Sequence, residues 1–196
     1  MKCRMRKPPS KYVVPLRQAS SIVRLDLIEV RIHNISASIR PSGAFSLNVS
    51  AVPGGAIDFA NARRAEQMQL TANGGYNLFG RLTGNVSHTF QELEVAGGRL
   101  FVARLTQGRV VYHLNVHTFF RAILQYTDVS RNTALYLSPP AAHTRRLFAQ
   151  FLFSYKLNPQ TVALVGYSDN ADAAQTVDLS RVNRTFFTKV GYAWVR

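Results

Sequence analysis

The most informative absence in this sequence is a long hydrophobic run. A transmembrane helix needs roughly 20 consecutive apolar residues, and no stretch provides them, although 46% of the 196 residues are hydrophobic and the mean hydropathy is -0.06. This excludes a membrane protein built from helices. A soluble fold and a β-barrel both stay open, because barrel strands alternate apolar with polar residues.

Cysteine is nearly absent, since Cys3 is the only one in the sequence. A single thiol excludes a disulfide framework and a thiolate metal site. His113 and His117 flank a predicted turn and have no cysteine or carboxylate neighbour in the sequence, so we predict that they bind no metal. The acidic segment that contains Asp169 and Asp172 lacks the spacing of an EF-hand. We therefore predict no metal and no cofactor.

Acidic residues are also few. Ten Asp and Glu stand against 24 Lys and Arg, which gives a formal net charge of +14 and a pI near 10.7. In a soluble domain this excess would favour a nucleic-acid partner. No basic helix or known nucleic-acid motif accompanies the charge, so we predict no nucleic-acid partner. A soluble basic β-sandwich that binds nucleic acid is kept as an alternative.

An export segment is missing as well. Residues 1–7 resemble the basic start of a signal peptide, but Pro8, Pro9, Ser10 and Lys11 follow where an apolar region should be. A barrel protein must be exported, so we expect this chain to be a fragment whose natural N-terminal part, with the signal peptide, is absent. Residues 1–20 are then a basic irregular leader, and 21–196 are the C-terminal part of a barrel.

The sequence does contain period-two alternation, which is typical of strands with one apolar and one polar face. It is clearest in residues 45–51, 67–77, 81–91, 116–127, 149–156 and 186–194. The pattern blurs from Leu100 to Leu114, where we expect a β-bulge to shift the register. About eight strands follow from Phe45 onward, and the segment from Ile22 to Ile35, of mixed facing, is a ninth candidate.

The connections support a barrel. Tight links near Phe79, near Asn115 and at 157–160 interleave with longer ones predicted at 53–65, 94–99, 128–147 and 170–183. Short turns on one side and long loops on the other are typical of periplasmic turns and extracellular loops. Gly54-Gly55 and Gly97-Gly98 are interpreted as turn glycines. We predict an all-β, antiparallel up-and-down transmembrane β-barrel of about 8–9 strands, part of a larger barrel, in the bacterial outer membrane.

In such a barrel the apolar face contacts outer-membrane lipid and the polar face lines the lumen. The predicted lipid-facing residues are Phe45, Leu47, Val49, Met68, Leu70, Leu82, Val86, Phe120, Leu124, Phe151, Phe153 and Val190. Aromatic residues near strand ends are predicted to form interfacial girdles: Tyr76, Phe90, Tyr126, Tyr155, Tyr192 and Trp194. The lumen candidates are Arg81, Asn85, Arg121, Gln125, Lys156 and Lys189. With Arg109, the basic residues among them could make the interior favour anions.

Four stretches resemble a family of bacterial outer-membrane proteins of the DUF5916 type, whose function is unknown. They are GGAIDFANARRAE, VAGGRLFVARLTQGRVVYHLNVHTFFRAILQYTDVSRN, QFLFSYKLNPQTVALVGYSDN and NRTFFTKVGYAWVR. The family combines an N-terminal domain like a carbohydrate-binding module with a C-terminal barrel. The resemblance implies that the chain is such a barrel region, a scaffold whose carbohydrate-binding domain is missing here. Some members are labelled membrane-associated hydrolases.

No catalytic site is predicted within this chain. Ser87 and His88 suggest a nucleophile and base, but adjacent residues on a strand point to opposite faces. They therefore cannot reach each other. The functional hypothesis is an outer-membrane barrel segment acting as a pore or a scaffold. The alternative is a membrane-associated hydrolase whose catalytic part lies outside this chain.

Overall fold

A computed structural model describes residues 17–25, 28–158, 161–174 and 180–192, with side chains from Arg31 to Ala173 and from Ser180 to Tyr192 outside those gaps. Trp194, predicted for the aromatic girdle, and most of the predicted leader lie outside the described residues.

The described chain forms one sheet of ten antiparallel strands. Each strand pairs with the next one along the chain, in the order β1 to β10. The strands are β1 (Arg17–Leu25), β2 (Ile28–Ser42), β3 (Phe45–Asp58), β4 (Arg63–Leu78), β5 (Leu82–Val95), β6 (Gly98–His113), β7 (Thr118–Arg131), β8 (His143–Asn158), β9 (Thr161–Ala174) and β10 (Ser180–Tyr192). The predicted all-β, up-and-down antiparallel fold is confirmed.

The N-terminal region differs from the prediction. The candidate strand from Ile22 to Ile35 is two strands, because β1 and β2 pair as a hairpin with Leu25 opposite Ile28. Its residues do not alternate between two faces in a single pattern, because the segment contains the end of one strand and the start of the next strand. β1 begins at Arg17, so the last residues of the predicted leader belong to the sheet.

Two of the predicted long loops are wrong. Pairing of β3 with β4 continues to Asp58 and Arg63, which leaves only residues 59–62 as the link. Gly54 lies in β3, where an added Cβ would be 2.5 Å from the carbonyl oxygen of Arg31. This glycine therefore permits close approach of β2 and makes no turn. The link between β5 and β6 is equally short, because Val95 pairs with Gly98.

The bulge predicted in the blurred segment is confirmed. Leu93 pairs with Phe101, whereas Glu94 pairs with Arg99, so Leu100 is an extra residue on β6. The side chain of Leu100 is only 2% exposed and packs with Ala65. The alternation is lost here because the extra residue turns its side chain inward.

The sheet has two edges. Within the described residues no backbone pairing joins β1 to β10, so the sheet is open. On both faces β10 is largely exposed, as expected for a strand with a neighbour on one side only.

Candidate functional site

The strand register divides the side chains between two faces. One continuous row of directly opposed residues crosses eight strands: Phe45, Tyr76, Gly84, Val110, Ala122, Phe151, Tyr167 and Phe186. We call the face that carries this row the outer face and the opposite one the inner face.

All twelve predicted lipid-facing residues lie on the outer face. Many are well exposed, for example Leu124 and Phe151 at 54% each. Five of the six predicted girdle residues lie on the same face: Tyr76, Phe90, Tyr126, Tyr155 and Tyr192. The register thus produces one broad apolar surface, and its contact with lipid stays a prediction.

His88, on the outer face, has a hydrogen-bond partner within the sheet. His88 Nδ1 lies 2.8 Å from Thr106 Oγ1 on the neighbouring strand. Ser87 pairs with Gln107 on the inner face. The register therefore separates this serine from the histidine, as the sequence predicted.

The inner face of β2 to β5 is polar and mostly uncharged. It carries hydroxyl and amide side chains: Ser36, Ser38, Ser46, Asn48, Ser50, Gln67, Gln69, Thr71, Asn73, Thr83, Asn85, Ser87, Thr89 and Gln91. Some bond across strands, since Asn48 Nδ2 donates to Ser38 Oγ at 2.7 Å. We call this surface the neutral sector.

The inner face from β6 to β10, together with the rim of β4, is strongly cationic. Seven cations stand on the inner face: Arg63, Arg109, Arg121, Arg131, Arg146, Lys156 and Lys189. On the described strands with side chains, only Asp58 and Asp172 are inner-face carboxylates, and they pair with Arg63 and Arg146 at 2.8 and 3.7 Å.

Five of these seven cations have no carboxylate partner among the described residues. Arg131 donates to the carbonyl oxygen of Ala141 and to Thr144 Oγ1 at the rim. The other four are Arg109, Arg121, Lys156 and Lys189. Arg121 donates to Gln150 Oε1 at 3.3 Å, while its Nε is enclosed without a described partner. We call these four residues the lumen cations.

The predicted lumen residues Asn85, Arg121, Gln125, Lys156 and Lys189 all lie on the inner face. Arg81 lies instead in the turn between β4 and β5, where its backbone N donates to Leu78 O at 3.1 Å. It therefore belongs to neither face.

Sequence reasoning did not find the apolar side chains of the inner face. Phe119, Ile123, Phe148, Leu152, Leu164 and Phe187 alternate there with the cations. Leu152 and Ser154 are buried among their neighbours. Both faces of β7 to β9 are partly apolar, which is why their facing was hard to read from the sequence.

The longest described link, residues 132–142, folds back over the rim of the sheet. It contains a short 3-10 helix, Thr133–Leu135, and Leu135 packs against the cluster of Ala65, Leu93, Val95 and Leu100. Asn132 N donates to Leu100 O at 3.0 Å. We call this segment the rim loop.

Arg63 holds the rim loop against the sheet by hydrogen bonds. Its Nε donates to Asp58 Oδ2 at 2.8 Å, and its terminal amino group donates to Leu135 O at 2.7 Å. Asn61 Nδ2 also donates to Asp58 Oδ2 at 2.6 Å. Asp58 is only 6% exposed, so its carboxylate depends on these two side-chain donors and on the backbone N–H of Ala60.

Replacing Arg63 with alanine is expected to release the rim loop. The change leaves a buried carboxylate short of a donor and removes the bond to Leu135, a loss of roughly 1 to 3 kcal/mol. Limited proteolysis next to Leu137, which is 86% exposed, should then be about tenfold faster or more. Arg64→Ala is the matched control, because Arg64 lies on the outer face. Equal cleavage rates in the two variants would contradict this function of Arg63.

The same contact gives a pH dependence. Burial raises the pKa of Asp58, but hydrogen bonds from Asn61 and Arg63 and the charge of Arg63 lower it more, so that its pKa lies below the ordinary 3.8. A carboxyl group whose pKa is lowered in the folded state stabilises that state at pH values above its ordinary pKa. This stabilisation is lost as the pH falls through the folded pKa. Asp58 lies at the same level of the sheet as the charged outer-face residues Arg64 and Glu66, beyond the apolar residues of that face. Acid release of the rim loop is therefore expected below pH 3.8.

The described residues hold no group of three His, Cys, Asp or Glu side chains close enough to bind a metal ion. Nor does any helix among them have the length and hydrophobicity needed to cross a membrane.

The fold is similar to that of OmpT, an outer membrane protein of Vibrio cholerae. The in-vitro folded OmpT gives a TM-score of 0.54 at 13% identity, over 90% of this chain and 64% of that one. OmpT expressed in the outer membrane gives 0.52 at 13%, and the trimer form 0.50 at 15%, over the same shares. This chain thus spans less than two thirds of these structures. It has the fold of an outer-membrane β-barrel wall.

No family model matches the sequence, and no curated protein matches it. The resemblance to the DUF5916-type family therefore stays a hypothesis.

Proposed function

We propose that this chain is part of the wall of a transmembrane β-barrel in the bacterial outer membrane, and that its inner face lines a water-filled lumen that favours anions. The observation that carries the proposal is the segregation of side chains by the register. A band of apolar residues crosses the outer face, while the lumen cations stand on the inner face without carboxylate partners among the described residues.

The outer face fits lipid for a physical reason. In water, a broad surface with exposed Phe151 and Leu124 favours aggregation, whereas in a bilayer these side chains are in a suitable solvent. The backbone groups at a sheet edge cannot stay unpaired in hydrocarbon. The proposal therefore includes further strands that pair with β1 and β10. The OmpT structures support this, because 64% of their length corresponds to this chain.

The lumen must be wide enough for solutes. A barrel of eight strands is just filled by its own side chains, and wider barrels leave space for water. This sheet already has ten strands before closure, so the closed barrel exceeds that limit. The hydroxyl and amide groups of the neutral sector are suited to contact with water.

The lumen cations decide which solutes are favoured. A cleft lined by charges of one sign, within low-dielectric walls, raises the local concentration of counter-ions. The two inner-face carboxylates among the described side chains are already paired with Arg63 and Arg146. They therefore do not cancel the field of Arg109, Arg121, Lys156 and Lys189, and anions are favoured over cations.

The full chain refolded into detergent and inserted into planar bilayers tests this proposal. Reversal potentials in a KCl gradient should show preference for chloride, and the preference should fall strongly when the lumen cations are changed to glutamine together. Arg64→Gln with Arg104→Gln is the control, because both residues lie on the outer face. Absence of conductance from a heat-modifiable, β-rich species would exclude the pore. Equal ion preference in all variants would exclude the charge mechanism.

The resemblance described above favours a second candidate function, a scaffold for a carbohydrate-binding domain. It depends on the four matching stretches alone. Under this candidate the barrel anchors the domain and needs no conductance, so a folded but non-conducting protein would favour it. The hydrolase alternative would likewise require catalytic residues beyond this chain.

A further inference from the structure

We propose that the outer face of β7 to β10 binds an anionic membrane lipid, with the lipid phosphate on Arg181 and Arg184 and an acyl chain in the groove beside them. This inference rests on the proposed placement of the chain in a membrane, but not on conduction through the lumen.

The groove has a simple cause in the sequence. Ala122 is small, and it stands between Val110 and Phe151 in the row of the outer face. Larger side chains surround this position and form walls around a groove of about 280 Å³. The wall residues used here are Phe120, Phe151, Phe153, Val165, Tyr167 and Phe186. Phe120 and Phe153 pack with ring centroids 4.9 Å apart, so this wall is a tight aromatic pair.

Charged residues begin where the groove ends. Asp169 follows Tyr167 by two residues on β9, and Arg184 precedes Phe186 by two residues on β10, so both lie on the outer face. These residues lie near one end of the β9–β10 pair, and the pair of Thr161 and Tyr192 lies at the other end. A lipid with its chain in the groove would therefore bring its headgroup to these side chains.

The headgroup site carries a net positive charge. Asp169 Oδ2 lies 3.4 Å from Arg181 Nε and 3.7 Å from Arg184 Nε, and it accepts a hydrogen bond from the Tyr167 hydroxyl at 3.1 Å. One carboxylate thus orients two guanidinium groups. Their side chains are 64% and 53% exposed, and they approach Asp169 through Nε. The terminal amino groups can bind phosphate in the bidentate geometry that suits arginine.

A related register, with one carboxylate between two arginines, occurs elsewhere on the outer face. Asp128 stands directly between Arg104 and Arg145 in the register. The Arg145 Nε is 4.0 Å from Asp128 and is enclosed without a hydrogen-bond partner. On the side of β4 and β5, by contrast, Glu66, Glu92 and Glu94 balance the arginines. Anionic headgroups are therefore expected at β7 to β10 and not around the whole outer face.

The test uses the full chain refolded in detergent and two probes, dioctanoyl phosphatidylglycerol and dioctanoyl phosphatidylcholine, with binding measured by native mass spectrometry. The anionic lipid is expected to bind at least about tenfold more tightly. Arg181→Gln with Arg184→Gln should remove this preference. Ala122→Trp, which fills the groove, should weaken both probes. Inorganic phosphate should compete poorly, since it lacks a chain for the groove.

The control is Arg64→Gln with Arg99→Gln, which removes the same charge from another part of the outer face. Equal loss in the two double variants would overturn the site and indicate general attraction by net charge. Equal binding of the two lipids to the unchanged protein would also overturn it. Chloride preference in bilayers should be unaffected by Arg181→Gln with Arg184→Gln. A protein that binds the lipid without conducting ions would contradict the proposed pore but not the proposed lipid site.

Discussion

Leu124→Arg is expected to destabilise the folded protein in lipid vesicles by roughly 2 to 4 kcal/mol, whereas Gln125→Arg is expected to change its stability by less than about 1 kcal/mol. The two substitutions introduce the same side chain at adjacent positions of β7. They differ only in the face that receives it.

The register explains the difference. Leu124 lies on the outer face opposite Ala149, and its side chain is 54% exposed. Ala122 and Tyr126 flank it on that face, so it lies inside the apolar band. Gln125 lies on the inner face opposite Gln107 and Phe148, where an arginine could reach water. A cation near the bilayer midplane must leave water, and that step carries the free-energy cost.

Urea unfolding of both variants, refolded into the same vesicles, measures the effect. The slope of the free energy against urea should stay the same, because the two variants expose similar surface. If Gln125→Arg were the more damaging substitution, the assignment of the two faces would be reversed. Equal damage at the two positions would contradict the division of β7 into an apolar face and a water-accessible face.

The alternation in the sequence was sufficient to predict the faces of β3, β4 and β5. There the residues between the apolar ones are Ser, Asn, Thr and Gln, which mark the opposite face without ambiguity. In β7 to β9 the same reasoning is weaker, because Phe119 and Phe120 are both aromatic and point to opposite faces. The inner apolar residues were missed for this reason.

The rim loop could not be predicted because its contacts are distant in sequence. Arg63 and Leu135 are 72 residues apart, and neither belongs to a recognisable motif. The spacing of Asp58 and Arg63 across a short turn was the one available signal, but the two residues were placed within a longer loop. Knowledge of the β3 to β4 register was needed to bring them together.

The division of the cations between the two faces also could not be predicted without the strand register. The composition gives +14 overall but does not show which cations share a face. Arg104 and Arg109 are both on β6, yet Arg104 lies over the Phe90 ring on the outer face at 5.9 Å, and Arg109 is on the inner face opposite Ile123. The bulge at Leu100 lies close to this segment and blurred the alternation there. Only the pairing separates outer arginines, suited to headgroups, from lumen cations.

Gly84→Ala is expected to destabilise the sheet by roughly 1 to 3 kcal/mol, the range for an added methyl group that forces neighbours to move. A Cβ at Gly84 would lie 2.6 Å from the ring carbon and the hydroxyl oxygen of Tyr76, and 2.7 Å from the carbonyl oxygen of Arg109. The Tyr76 ring could move aside. The Arg109 carbonyl belongs to the neighbouring strand, so it can move only if the pairing of β5 with β6 opens.

Gly108→Ala is the matched control, because Gly108 lies on the outer face of β6 and a Cβ there would meet nothing within 4 Å. Alanine at Gly108 should be neutral or slightly stabilising, since it restricts the unfolded chain. Urea unfolding of both variants in the same vesicles measures the difference. Adding Tyr76→Ala to Gly84→Ala should not restore full stability, because it removes the clash with the ring and leaves the one with the backbone. Equal stability of the Gly84→Ala and Gly108→Ala variants would show that β5 and β6 do not approach as closely as the structure has them.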